Sequence, residues 1–162
     1  MKQSDFDKPL VLGGDEFLPG DRGTVRFPVG HLITHEVVEL TVHVRRGLTP
    51  GPRLLLTAAV HGDEINGVEV IRRVLRSKMK RLCGDLICIP IVNLPGFLSR
   101  SRYLPDRRDL NRLFPGSTTG SFGARLARVI SRDIVKQCTH GIDLHTGAVN
   151  RPNLPQIRFS GE

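Results

Sequence analysis

The chain has 162 residues, a net charge of +8 and a mean hydropathy of −0.14, with 39% hydrophobic and 25% charged residues. That length fits one domain of ordinary size, and the composition excludes a disordered or membrane-embedded chain. The positive balance is an arginine surplus, 19 Arg against 5 Lys. The planar guanidinium fork matches carboxylates and phosphates, so an anionic partner is expected. No apolar run approaches the roughly 18 residues of a membrane span. Residues 1–9 carry Asp5, Asp7 and Lys8 and no apolar stretch, unlike a signal peptide. The three cysteines, Cys83, Cys88 and Cys138, have neither disulfide-framework nor zinc-finger spacing. They are expected to be buried, reduced thiols of a cytoplasmic protein.

Residues 1–23 are rich in glycine and proline and are expected to form an irregular lead-in. A short strand is expected over 24–29. Residues 36–44 alternate in their later part, with Leu40, Val42 and Val44 on one face and Thr41 and His43 on the other, as in a half-buried strand. Residues 53–60, R-L-L-L-T-A-A-V, are apolar almost throughout and read as a strand buried on both faces. The period then changes. Ile65, Val68, Ile71 and Leu75 recur every three or four residues and predict a helix to about Ser77. Residues 85–92 read as the next buried strand, with Pro90 arguing for an edge or a bulge. The stretch 93–121 is a long loop rich in Arg, Pro, Gly and Asp, and loops of that length inside a domain usually carry function. Ser121 can cap a helix over 122–137 with Leu126, Val129, Ile130 and Ile134 inward. Short strands are expected at 141–145 and at 156–159. Strands alternating with helices predict an α/β fold with a mostly parallel or mixed central sheet flanked by helices. Sites in such sheets gather at the carboxyl ends of strands.

Three polar clusters fall at such ends. His61 and Glu64 stand where a strand runs into a helix, and imidazole plus carboxylate is a suitable pair for zinc. Asp143-Leu144-His145-Thr146-Gly147 stands at the end of another strand, the one expected at 141–145. His145 can supply a third ligand, and Asp143 can hold an imidazole's other nitrogen. Two histidines and one glutamate meet the count of a catalytic zinc that keeps one open position. The third cluster, residues 102–116, interleaves arginines with Leu110, Leu113 and Phe114. Asn111 and Arg112 could grip a carboxylate, and Arg102 could polarise a carbonyl.

Taken together, the motifs Ala59-Val60-His61-Gly62-Asp63-Glu64-Ile65-Asn66-Gly67, Arg108-Asp109-Leu110-Asn111-Arg112-Leu113-Phe114-Pro115-Gly116 and Asp143-Leu144-His145-Thr146-Gly147 resemble those of the succinylglutamate desuccinylase/aspartoacylase family. That family lies within the zinc carboxypeptidase-like fold, a three-layer αβα architecture. The resemblance spans about residues 50 to 150. It implies one Zn²⁺ per chain on His61, Glu64 and His145, with Asp143 behind a ligand histidine. It also implies that Asn111 and Arg112 bind the substrate's carboxylate end and that Arg102 polarises the carbonyl, with Arg100, Arg107 and Arg108 as alternatives for that role. The implied reaction is hydrolysis of the amide bond in a small, carboxylate-bearing N-acyl amino acid. The family's general-base glutamate lies well beyond the His145 segment, and Glu162 is too close to that segment to replace it. Residues 24–162 are therefore expected to be a zinc-hydrolase catalytic domain truncated before a C-terminal region, with weak turnover and apolar surface that favours a homo-oligomer.

Two close alternatives are a zinc carboxypeptidase acting on peptides and a non-catalytic metal-binding fragment. A third, a nucleic-acid-binding face built on Arg72, Arg73, Arg76, Lys78, Lys80 and Arg81, lacks aromatic stacking platforms and any recognised motif. Neither nucleic acid nor membrane is expected as a partner.

Overall fold

The computed structural model describes residues 6–31, 34–149 and 151–159. A two-stranded hairpin, β1 (Leu10–Leu12) and β2 (Asp15–Phe17), precedes a five-stranded sheet. The sheet is built from β3 (Arg22–His31), β4 (Val37–Arg46), β5 (Thr49–Ala58), β6 (Cys83–Ile89) and β7 (His140–Leu144), in the spatial order β3-β4-β6-β5-β7. β3 pairs with β4, and β4 with β6, antiparallel. β5 runs parallel to both β6 and β7. Helix α1 (Asn66–Arg76) crosses from β5 to β6. Between β6 and β7 lie α2 (Leu94–Ser99), a 3-10 turn at Leu110–Arg112 and α3 (Phe122–Val129).

The apolar pattern divides the core between the two faces of this mixed sheet. Val38, Leu40, Val42 and Val44 alternate into one face, where Leu126, Ile130 and Ile134 cover them together with Leu10, Leu12 and Phe17 of the hairpin. Leu56, Ala58, Leu86 and Cys88 pack on the other face against Ile71 of α1. Each fully buried Leu, Ile or Val contributes roughly 1.5–3 kcal/mol over its exposed state. Ser121 caps α3, its Oγ accepting the Ala124 N–H at 3.3 Å. Beyond Val129 the helix loosens into a π turn (Ile130–Ile134) and a 3-10 turn (Val135–Gln137).

Several expectations need correction. The stretch before Arg22 is not irregular throughout. Gly13 and Gly14, at φ 61° and 93°, make a tight turn that folds 10–17 into the hairpin, and its alternate residues reach the core. This segment is also pinned by charge. Arg46, with a fully buried side chain, donates to the carbonyls of Phe6, Lys8 and Phe17 and to Asp85. Arg53 takes the other oxygen of Asp85 at 2.8 Å. β6 is the central strand rather than an edge, because it ends at Ile89 and leaves Pro90 outside the ladder. The 93–121 stretch is not a bare loop: Asn93 accepts from the Gly96 N–H at 3.0 Å and caps α2. Ile65 is the helix's N-cap residue and points to solvent. Residues 156–159 pair with no described strand, and Ile157 and Phe159 lie exposed. All three thiols are free, but Cys83 is exposed rather than buried. No helix among the described residues is long and apolar enough to cross a membrane.

Candidate metal centre and carboxylate grip

The parallel strands β5, β6 and β7 end at one edge of the sheet, and the site is assembled there. After Ala58 the chain bends at Ala59, whose φ of 51° is a left-handed conformation costly for a residue with a Cβ. The bend is held from the neighbouring segment. The N–H groups of Val92 and Asn93 donate to the carbonyls of Ala58 and Ala59 at 3.0 and 2.9 Å. A tight turn follows, closed by the Glu64 N–H on the His61 carbonyl at 3.1 Å. Gly62 lets this turn lie flat on α2, since a Cβ there would sit 1.9 Å from the Gly96 carbonyl carbon. His61 and Glu64 are thereby buried, each 3% exposed.

The Glu64 carboxylate is the hub. Its Oε1 lies 2.8 Å from His61 Nδ1 and accepts from Arg102 at 3.5 Å. Its Oε2 lies 2.8 Å from His145 Nδ1 and accepts the Thr146 backbone N–H at 2.9 Å. Both imidazoles thus turn Nδ1 toward one carboxylate. Their other nitrogens are also engaged: His145 Nε2 is 2.6 Å from Asp143, and His61 Nε2 is 3.2 Å from Asp109 and 3.3 Å from Asn111 Nδ2. The rings stand 4.9 Å apart. One ligand atom from each of His61, Glu64 and His145 falls within 4.8 Å of the others. Two imidazoles and a carboxylate fit the three protein ligands of a catalytic zinc, and aspartates behind the rings are the usual way of fixing which nitrogen faces a metal.

Electrostatics follow the hydrogen bonds. The His145 ring is pushed up to about 9, chiefly by its hydrogen bond to Asp143 against the opposing effect of burial, then by the charges of Asp143 and Glu64. Burial would raise Asp109. The Arg102 hydrogen bond, the Asn111 N–H and the charges of His61 and Arg102 outweigh that and hold it below the usual aspartate value.

Of the four arginines considered for the carbonyl-facing role, Arg102 alone reaches this network, bridging Glu64 and Asp109 at 3.5 and 3.0 Å. Arg100 ends α2 in the open, Arg107 is exposed, and Arg108 turns to Asp106 and Ser121. Asn111 touches His61, whereas Arg112, beside it on the 3-10 turn, is exposed to solvent. Asp109 and Thr57 join the network as well, although neither stands out in the sequence. Asp109 caps the 3-10 turn through the Asn111 N–H while it holds His61 and Arg102. Thr57 donates its hydroxyl to Asp143 at 2.7 Å. A lone hydroxyl in the apolar run L-L-L-T-A-A-V was the available signal for Thr57; Asp109 had only its place in the motif.

Known proteins share this chain's sequence and shape. Residues 50–161 match the succinylglutamate desuccinylase/aspartoacylase catalytic domain. N-alpha-acetyl-L-2,4-diaminobutyric acid deacetylase of Halomonas elongata is 34% identical over 121 residues, which cover 74% of this chain and 34% of the relative. A succinylglutamate desuccinylase/aspartoacylase from Rhodobacter sphaeroides superposes with a TM-score of 0.71 at 33% identity, covering 78% of this chain and 40% of that one. The product-bound ectoine utilization protein EutE (DoeB) from Ruegeria pomeroyi gives 0.71 at 29% identity, covering 86% and 43%. The chain therefore spans about a third of the length of the curated relative, 34%, and 40% and 43% of the two solved ones. On this match and this fold, the chain belongs to the succinylglutamate desuccinylase/aspartoacylase family.

Proposed function

We propose that this protein serves a zinc-dependent deacylase that cleaves the amide bond of small N-acyl amino acids, with His61, Glu64 and His145 as the zinc ligands. The observation that carries this reading is the convergence of those three side chains, from two strand ends and one helix start, on donor atoms within 4.8 Å of one another. The curated relative is a deacetylase of an N-acetylated amino acid, which supports this substrate class over a peptide. A bound zinc would supply Lewis-acid polarisation and a lowered pKa for water. The chain's own residues supply the rest. Asp143 and Asp109 hold the two imidazoles by their Nε2 atoms. Arg102, one third exposed at the rim, presents a guanidinium where a scissile carbonyl would gain negative charge. Asn111 and the solvent-facing Arg112 offer an amide and a fork for the substrate carboxylate. Glu64, Asp109 and Asp143 are each committed to a ring or a guanidinium, so none of them is assigned the proton-transfer role.

Metal analysis of protein purified without chelators tests the reading. About one zinc per chain is expected, lost in His61→Ala. Wild-type protein free of stoichiometric metal overturns it.

A further inference from the structure

The arginine surplus is not used up at the metal cluster. β3 runs antiparallel to β4, and β4 antiparallel to β6, so the end of β3 lies at the same sheet edge as the ends of β5 and β6. At that end a cavity of about 460 Å³ opens between β3 and α3, and a second of about 430 Å³ adjoins it. The two share Ser117, Thr118, Arg128 and Arg132, and the second adds Lys136. The wall is built by local packing. The Ser117 N–H donates to the Ala124 carbonyl at 3.0 Å, which lays the loop after the 3-10 turn along α3, and Ser117 Oγ accepts the Thr119 N–H at 3.3 Å. Arg125, beside them, is spent on the carbonyls of Val29 and Gly120. Arg128, Arg132 and Lys136 have no ion pair or side-chain hydrogen bond among the described residues, against a single carboxylate, Asp133, in the lining. Arg128 of α3, Arg132 of the π turn and Lys136 of the 3-10 turn all line the second cavity, so three cations face one groove.

By contrast, Arg72 and Arg73 on α1 both fork onto Glu69, whose carboxyl is held down to about 2 by the two hydrogen bonds. Those charges are neutralised in place. The charges of Arg128, Arg132 and Lys136 are not, although holding three cations side by side costs repulsion that a bound anion would remove.

We propose that this groove is a second, anion-binding site, separate from the metal cluster, that takes a diphosphate-bearing small molecule. Arg128 and Arg132 serve as the fork for phosphate oxygens, Lys136 as a point charge, and Ser117 and Thr118 as hydroxyl donors. The two adjoining cavities give room for a diphosphate and an organic group attached to it.

Inorganic pyrophosphate is the probe, titrated into the whole protein by calorimetry in sodium chloride at near-physiological ionic strength. Saturable binding at one per chain is expected. Affinity should fall at least 10-fold in Arg128→Gln/Arg132→Gln and stay within 2-fold in Arg72→Gln/Arg73→Gln, which removes the same charge elsewhere. It should persist in His61→Ala, which disrupts the metal cluster. Melting curves check that each variant is folded. Non-saturable binding overturns the proposal, as does an equal loss in both double variants, which marks a general charge effect. Loss in His61→Ala also overturns it, since the anion would then sit at the metal.

Discussion

The two halves of the candidate metal cluster are held in place by different forces. His61 and Glu64, with side chains 3% exposed, come off β5, which is flanked by β6 and β7 and covered on both faces. His145, with its side chain 35% exposed, follows β7, the last strand of the sheet, whose residues 140–143 are exposed. Packing fixes the first half. Hydrogen bonds fix the second: Thr57 to Asp143, Asp143 to His145, and the N–H groups of Thr146 and Val149 to Glu64 and Asp63. A cluster built this way has one rigid side and one side whose geometry depends on a short polar chain. Substitutions in the two halves should therefore fail differently, one in global stability and the other in metal affinity.

The largest expected effect lies under the packed half. Asp85 is buried with Arg46 and Arg53 on its two oxygens, and Arg46 also ties down the N-terminal segment. Asp85→Ala leaves a fully buried guanidinium without its counter-charge and should cost about 3–5 kcal/mol of unfolding free energy, read by urea denaturation. A loss below about 1 kcal/mol, the range of an exposed pair, would show that water reaches Arg46 and that this half is less closed than its burial indicates.

Next in size is the polar chain behind His145. Thr57→Val keeps the shape in β5 and removes the hydroxyl that orients Asp143. Zinc affinity, measured by chelator competition, should fall about 10- to 100-fold, as is usual when a partner behind a ligand is lost. Thr57→Ser should restore it, and the melting temperature of the metal-free protein should hardly move. Unchanged affinity in Thr57→Val would mean that β7 is positioned by the backbone ladder alone.

What was readable in the sequence follows the same divide. The strands and helices of the packed half announce themselves by period. The apolar run at 53–60, the 3.6-residue recurrence through Val68, Ile71 and Leu75, and the Ser121 cap all lie close to the observed elements, because burial and capping are local demands on residue type. Long-range pairing was not readable. Nothing near Pro90 tells that β6 pairs on both sides, and nothing near Arg46 tells that its charge meets Asp85 and the carbonyls of Phe6, Lys8 and Phe17. In the cluster itself the candidate ligands His61, Glu64 and His145 stand in two short motifs, at 59–67 and 143–147. The parts of Asp109 and Thr57 were not legible, since they appear only once separate strands and loops are brought within hydrogen-bond distance.

The smallest effect expected is also the finest probe of the difference between the halves. Cys88 sits in β6, fully buried, and burial pushes its thiol up to about 12 against the Arg45 charge. Cys138 lies two residues before β7, partly buried, and burial pushes it up to about 11, with Arg53 opposing and Asp85 adding. Cys83 is exposed. A thiol reagent at pH 8 should modify Cys83 first. Cys138 should follow at the rate of local opening around β7, and Cys88 only as the whole sheet unfolds. In the unfolded chain both buried thiols would ionise near 9, while in the folded protein they keep their protons. The unfolded state therefore binds fewer protons above that pH, and stability falls as pH rises past 9. If Cys138 and Cys88 react at one common rate, β7 opens only with the whole sheet. The exposed half of the cluster would then be as firmly held as the buried one.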